Sequence, residues 1–126
     1  MQYTPEGRLK PVVLVVEDEF LVRMHTASVI EAAGYNVIEA TDADDAISIL
    51  ETRKDIRIVL TDIEMPGSMD GLKLAHAIRH RWPPIELIFT SGRHRLDAHQ
   101  IPVRGQFLAK PYDADVLIAA IREFSY

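Results

Sequence analysis

The sequence contains no cysteine, no long hydrophobic run and no excess of positive charge. Without cysteine there are no disulfides, thiolate metal ligands or cysteine nucleophiles, so any chemistry has to come from carboxylates, hydroxyls, lysine or histidine. The longest apolar run has six residues, 116–121, whereas a membrane-spanning helix needs about 20. The 14 basic residues are outnumbered by 19 acidic ones, and phosphate binding needs clustered lysine and arginine. We therefore expect neither membrane insertion nor direct DNA binding.

The residues that are present indicate one globular domain. A chain of 126 residues, 48% apolar and 26% charged, has the size and composition of a single domain with a hydrophobic core. The first ten residues have mixed charge and no apolar centre, which is unlike a secretory signal. We therefore expect a cytoplasmic protein.

Short apolar runs alternate with amphipathic stretches along the chain, a pattern typical of an α/β domain with a parallel sheet. The predicted strands are 12–16, 35–39, 56–62, 85–90 and 106–109. Helices are predicted over 20–33, from the cap candidates that begin at Thr41 to about Arg53, after an Asp70 cap and after an Asp113 cap. Gly34 is the predicted C-terminal cap of the first helix. The segment 93–105 contains Pro102 and no clear apolar stripe, which predicts a short turn or an irregular loop.

Polar side chains stand where four of the predicted strands end. Glu17 and Asp18 follow the first strand, Asp62 ends the third, Thr90 ends the fourth and Lys110 follows the fifth. Parallel strands bring their carboxyl ends to one edge of a sheet, which is where ligands bind in such folds. Taken singly, each residue also has an ordinary structural role, because aspartates cap helices and lysines are commonly solvated.

Taken together, these side chains form a complementary set. Carboxylates gathered at one edge repel one another by roughly 1 to 4 kcal/mol per pair at ~4 Å, so a cation is needed. Oxygen ligands without histidine favour Mg²⁺, and Lys110 supplies a second positive charge. An aspartate, a divalent cation, an ammonium and a hydroxyl are the groups that stabilise a phosphoryl group transferred to a carboxylate.

With this set the sequence resembles the receiver domain of two-component response regulators over about residues 12–124. The resemblance is carried by motifs in the expected order at the strand ends: Glu17-Asp18, Asp62 followed by Met65-Pro66-Gly67, Thr90-Ser91 and Lys110-Pro111. It implies a flavodoxin-like, doubly wound (βα)5 sandwich with a parallel sheet of order 2-1-3-4-5. The fourth helix is expected to be short or irregular. Residues 1–10 would be a tail and 11–126 the receiver domain.

The resemblance also implies roles at the acidic end of the sheet. Asp62 would be the phosphoacceptor, taking a phosphoryl group from a histidine of a sensor kinase or a phosphotransfer protein. Mg²⁺ would be bound by Asp18 and Asp62, with help from Glu17 and from the backbone carbonyl of Glu64.

The remaining implied roles concern phosphoryl binding and signalling. Lys110 would pair with a phosphoryl oxygen, Thr90 would hydrogen-bond another, and the Lys110–Pro111 bond is cis in this family. Thr90 and Phe107 would form the conformational switch, although a plain core position explains Phe107 equally well. Glu64 and the predicted loop after Gly92 would mainly set the lifetime of the phosphoryl group, since Gly92, the other position that tunes hydrolysis in this family, has no side chain.

The implied protein is a phosphoacceptor with self-catalysed phosphorylation and dephosphorylation, and not an enzyme acting on other substrates. It would stand alone, as a monomer or weak dimer, and signal through contact with a downstream target protein. The alternative is a receiver-like protein-binding module that works without phosphorylation. A haloacid-dehalogenase-type phosphatase is disfavoured because its Asp-x-Asp-x-Thr motif is absent after the first strand. A flavodoxin-like binder is disfavoured because the acids there would repel phosphate.

Overall fold

The computed structural model describes residues 11–65, 70–92 and 104–124. From residue 12 to residue 91 strands and helices alternate along the chain, as the sequence predicts. The elements are β1 (Val12–Val16), α1 (Phe20–Ala32), β2 (Asn36–Ala40), α2 (Ala43–Thr52), β3 (Ile56–Asp62), α3 (Gly71–Arg81), β4 (Glu86–Ser91), β5 (Gln106–Ala109) and α4 (Ala114–Glu123). The predicted bounds of β1, β3 and β5 are confirmed, whereas β2 and β4 each lie one residue further along the chain than predicted.

The five strands form one parallel sheet of order β2-β1-β3-β4-β5. This confirms the predicted flavodoxin-like, doubly wound fold and its strand order. The order reverses at β1, because the chain first adds β2 on one side of β1 and then crosses to add β3 on the other. The carboxyl ends of β1 and β3 therefore border the crevice where ligands bind in folds of this kind.

Helices cover both faces of the sheet and create two hydrophobic cores. One core contains Leu50 of α2 and Ile78 of α3, and the other contains Ile30 of α1 and Ile121 of α4. All residues of β1 are buried, because its successive side chains point alternately into the two cores. This double burial explains why the strand reads as an unbroken apolar run.

A register shift at the start of β3 sets the position of Asp62. Val12 pairs with Ile56, but Val13 pairs with Ile58, so that one extra residue bulges from β3. After the bulge the two strands run in phase to their ends, where Val16 pairs with Thr61. Asp62 therefore follows directly after the last residue pair and lies beside the acids that follow β1.

The buried face of α1 differs from the predicted one. The apolar spacing predicts burial of Val22, Thr26, Val29, Ile30 and Ala33, whereas the structure buries Arg23, Thr26, Ala27 and Ile30. The buried face therefore includes Arg23, whose guanidinium has polar partners at the ends of β1 and β2.

Capping residues fix the ends of several helices. Asp42 and Asp70 are N-caps whose side chains accept hydrogen bonds from backbone amides three residues later, at 2.8 and 2.9 Å. Gly34 follows the C-cap residue Ala33 with a φ of 100°, which confirms its predicted C′ position at the end of α1. Asp113 is the N-cap of α4, but its side chain makes no capping hydrogen bond.

Some sequence predictions concern parts of the chain outside the described ranges. They are the tail 1–10, the Pro66-Gly67 turn and nearly all of the segment 93–105, including the short or irregular fourth helix. In the part of the chain that the structure describes, no helix combines the length and apolar character needed to cross a membrane.

Candidate functional site

Three carboxylates meet at the carboxyl ends of β1 and β3. Glu17, Asp18 and Asp62 each offer one oxygen, and these oxygens lie within 4.8 Å of one another. Glu17 and Asp62 are only 5% and 7% exposed, whereas Asp18 is exposed. Two of the negative charges are thus largely shielded from water, and the third stands at the open side. Such a group favours a hard cation with oxygen ligands.

Lys110 supplies the positive charge in this cluster. Its Nζ donates to Glu17 Oε1 at 2.9 Å and to Asp62 Oδ2 at 2.8 Å. The lysine follows β5, its backbone amide donates to the Ser91 carbonyl at 2.9 Å, and the Lys110–Pro111 peptide bond is cis. The structure therefore brings together the carboxylates and the lysine that the sequence places at three separate strand ends.

Burial and pairing act in opposite directions on the charges. Burial by itself lowers the pKa of Lys110, but the hydrogen bonds to Asp62 and Glu17 outweigh it and raise the pKa above its ordinary value. Burial also raises the pKa of Glu17, although the Glu19 amide and Lys110 both oppose that rise. Lys110 is therefore firmly protonated, and ionised Glu17 is held in the site at a cost.

The backbone around Asp62 is closely packed. Asp62 Oδ1 accepts a hydrogen bond from the Glu64 amide at 3.0 Å, which fixes the second carboxylate oxygen. Behind the strand end, a Cβ on Gly71 would lie 2.1 Å from the Asp62 carbonyl oxygen, so the approach of α3 requires glycine. The Gly71 amide donates to the Ile63 carbonyl at 2.9 Å. Sequence reasoning misses Gly71, because only the fold brings α3 against this strand end.

Glu64 has a partner that sequence reasoning misses. The Ser91 hydroxyl donates to the Glu64 carboxylate. A signal for this contact existed, because Asp62 pairs with Thr90 across β3 and β4, so the residues just beyond that pair are neighbours. The expected use of the Glu64 backbone carbonyl as a metal ligand stays a prediction.

Thr90 and Phe107 lie on adjacent strands next to the acidic cluster. Thr90 is 3% exposed and is the register partner of Asp62 on one side and of Leu108 on the other. Phe107 is half-buried and packs against the core shared with α2 and α3. These positions suit both a switch and a core role for Phe107.

Arg23 is a further residue that was not predicted. Its Nη1 donates to the Glu17 carbonyl at 2.9 Å and its Nε to Glu39 Oε1 at 3.2 Å. The spacing contained the signal, since Arg23 stands three residues before Thr26 and seven before Ile30, on the helix face that the fold buries.

Comparison with known proteins identifies the class. The family model for the response regulator receiver domain matches residues 13–122, so the chain belongs to this family, as the sequence motifs predict. Receiver domains act in two-component signalling, where they are typically phosphoacceptors, interact with histidine kinases and use Mg²⁺ at an acidic pocket.

Individual relatives come from different kinds of signalling protein. The chain is 36% identical over 115 residues to sensor kinase CckA of Brucella abortus, covering 88% of this chain and 12% of that protein. It is 42% identical over 83 residues to aerobic respiration control protein ArcA of Escherichia coli K12, covering 66% of this chain and 34% of ArcA. The chain thus spans no more than 34% of the length of either protein.

A solved structure supports the same fold. The crystal structure of a response regulator receiver protein from Sinorhizobium medicae superposes with a TM-score of 0.84 at 26% identity. The alignment covers 91% of this chain and 94% of that one.

Proposed function

We propose that this protein accepts a phosphoryl group on Asp62 from a histidine of a sensor kinase or a phosphotransfer protein and then signals to a partner protein. One observation carries the proposal. The buried Asp62 carboxylate is held at one oxygen by Lys110 and at the other by the Glu64 amide, beside the carboxylates of Glu17 and Asp18. This is an oriented nucleophile in a site that also offers positive charge.

The chemistry of the transfer follows from this geometry. An Asp62 oxygen attacks the phosphorus, a P–O bond forms, and the P–N bond to the donor histidine breaks with its electron pair left on the imidazole. Lys110 lies 2.8 Å from Asp62 Oδ2, where its ammonium can follow the charge that develops on the phosphoryl oxygens. We assign Thr90 as a further donor to a phosphoryl oxygen, because it is the register partner of Asp62.

The donor set fits Mg²⁺. The side chains of Glu17, Asp18 and Asp62 offer only oxygen ligands, close enough together to share one ion. We propose that these carboxylates and the backbone carbonyl of Glu64 hold it. Bound there, the ion would supply positive charge to the phosphoryl oxygens and reduce the repulsion between the carboxylates.

Output is proposed to depend on Thr90 and Phe107. Thr90 responds to the phosphoryl group, and half-buried Phe107 on the neighbouring strand changes its exposure in turn. Residues 11–126 form the receiver unit in this proposal and 1–10 a tail, which the family match over 13–122 supports. The signalling form is a monomer or weak dimer that contacts a downstream protein.

Exposure to a small phosphodonor tests the proposal. Purified protein is incubated with acetyl phosphate with and without Mg²⁺, and intact mass is measured. We expect wild type to gain one phosphoryl group with Mg²⁺ and Asp62→Asn to gain none. Asp70→Asn is the matched control, since asparagine is an equally good N-cap, and it should gain the group as wild type does.

Two outcomes would contradict phosphorylation at Asp62. Either wild type shows no mass gain with Mg²⁺, or Asp62→Asn gains as much as wild type. The first would favour a receiver-like module that binds its partners without phosphorylation.

A further inference from the structure

Arg23 is a largely buried cation next to the acidic site, and no step of the proposed phosphoryl transfer uses it. The residue is 9% exposed, and its guanidinium donates to the Glu17 carbonyl and to Glu39. Arginine is costly to bury and needs such partners.

The Arg23 contact is part of a set that fixes the turn following β1. The Glu17 amide donates to the Ala40 carbonyl at 3.1 Å, and the Arg23 amide donates to the Glu19 carbonyl at 2.9 Å. The Glu19 amide donates to Glu17 Oε2 at 3.1 Å, and Arg23 Nη1 holds the Glu17 carbonyl from behind. The peptide that joins Glu17 to Asp18 is thereby held at its carbonyl oxygen.

The Arg23 guanidinium has a second partner besides the Glu17 carbonyl. Glu39 at the end of β2 accepts from Arg23 Nε at 3.2 Å while Nη1 bonds the Glu17 carbonyl at 2.9 Å. A planar guanidinium presents several donors in fixed directions, which a lysine ammonium cannot reproduce. Arg23 therefore connects α1, the end of β2 and the acidic turn through one rigid group.

We infer that Arg23 is a positioning residue for the metal site and acts through the Glu17 carbonyl. It holds the Glu17–Asp18 peptide so that both carboxylates converge on Asp62. The inference rests on the proposed function, since it concerns the site where that function needs Mg²⁺. Groups that orient metal ligands without touching the metal typically change its affinity by about 10- to 100-fold when they are replaced.

Titration with Mg²⁺ alone tests this inference. Isothermal calorimetry is run on wild type, Arg23→Gln, Arg23→Lys and Ile30→Val. Ile30 is fully buried in the same helix, so Ile30→Val loosens the packing of α1 without touching the turn. We expect Arg23→Gln to raise the Mg²⁺ dissociation constant about tenfold, Arg23→Lys to fall between it and wild type, and Ile30→Val to match wild type.

A second measurement uses the metal-free protein. The Asp18 and Glu19 amide signals are compared by ¹H–¹⁵N NMR, because the Asp18 amide shares the peptide that Arg23 holds and the Glu19 amide bonds the Glu17 carboxylate. We expect both signals to shift in Arg23→Gln and to stay in place in Ile30→Val. A role confined to general helix packing would move them equally in both variants.

The outcomes separate this inference from the proposed function. Wild type that binds no Mg²⁺ would overturn both. Wild-type binding with an Arg23→Gln dissociation constant within about twofold of it, or equal weakening in Ile30→Val, would overturn only the role of Arg23. If Arg23→Gln does not fold, Arg23→Lys decides, and an affinity equal to wild type would overturn the inference.

Discussion

The two ends of the parallel sheet surround their cations with different partners. At the carboxyl end, Lys110 contacts two carboxylates, Glu17 and Asp62. At the amino end, Arg79 of α3 donates to main-chain carbonyls instead: those of Pro83 at 2.6 Å, and of Ile85 and Arg104 at 2.9 Å. Arg79 thus links the end of α3 to the residues just before β4 and β5.

The difference shows which end can take a ligand. The hydrogen-bond partners of Arg79 are neutral carbonyls, and the nearby Glu86 carboxylate is paired with Arg104, so no unbalanced negative charge surrounds Arg79. Burial lowers the pKa of this arginine, with Arg104 adding to the effect. At the other end the three carboxylates of the acidic cluster exceed the single charge of Lys110. The amino end holds α3 to the strands β4 and β5. The carboxyl end has an excess of negative charge that suits binding of Mg²⁺.

Among substitutions at the two ends of the sheet, Lys110→Met is expected to have the largest effect, on the rate of phosphorylation. Loss of the ammonium should slow phosphorylation by a small phosphodonor about 100-fold, because a preorganised positive charge is removed from the transferring group. The rate is measured by mass spectrometry over time, with Lys73→Met, an exposed lysine of α3, as the control. A Lys110→Met rate close to wild type would contradict the assignment of phosphoryl chemistry to the carboxyl end of the sheet.

Arg79→Met should have a smaller effect, on stability alone. Loss of its hydrogen bonds to the carbonyls should lower the free energy of unfolding by about 1–2 kcal/mol, partly offset because Arg79 Nε is buried without a partner. Urea unfolding measures the change, with Arg81→Met as a control that removes an exposed ion pair with Glu51 and a contact with the Trp82 ring but no hydrogen bond to a main-chain carbonyl. If Arg79→Met slowed phosphorylation of the folded protein, the division between the two ends would be wrong.

The smallest expected effect is a pH dependence of stability that comes from Glu17. Burial raises the pKa of Glu17 above its ordinary 4.5, so the folded state binds a proton more readily than the unfolded state. The free energy of unfolding should therefore fall as pH rises from the unfolded pKa through the folded one. Arg79 adds nothing in this range because arginine stays protonated.

Urea midpoints of metal-free wild type and Glu17→Gln across that pH range measure the effect. Glu17→Gln should lose part of the decline with rising pH, whereas Glu31→Gln, at an exposed position of α1, should keep it. Equal slopes in wild type and Glu17→Gln would show that buried Glu17 is not under electrostatic strain.

Much of the fold could be predicted because its signals are local. Strands β1 and β3 are continuous apolar runs that end at carboxylates, and their predicted bounds are those of the structure. The predicted end of β4 is one residue too early, because Ser91 belongs to the strand through a partner far along the chain, the Lys110 amide. A prediction from local pattern does not include such a contact.

The candidate site could likewise be predicted only in part. Its carboxylates and Lys110 could be placed together because parallel strands end at one edge of the sheet. The roles of Arg23 and Gly71 could not, since each depends on a backbone carbonyl that only the folded chain brings near. The Arg23 partner Glu39 lies on the next strand, 16 residues along the chain, where local spacing gives no sign of the contact.

The hydrogen bond from the Gly71 amide to the Ile63 carbonyl has a consequence for protein engineering. It joins the two ends of the connection from β3 to α3, beside the carbonyl of Asp62. Since each doubling of loop length costs only about 0.6 kcal/mol, a reporter peptide inserted between these ends should cost little folding free energy. An insertion placed after Met65 would leave both this hydrogen bond and the bond from the Glu64 amide to Asp62 in place, which makes the stretch between Met65 and Asp70 a place to attach a sensor of the signalling state.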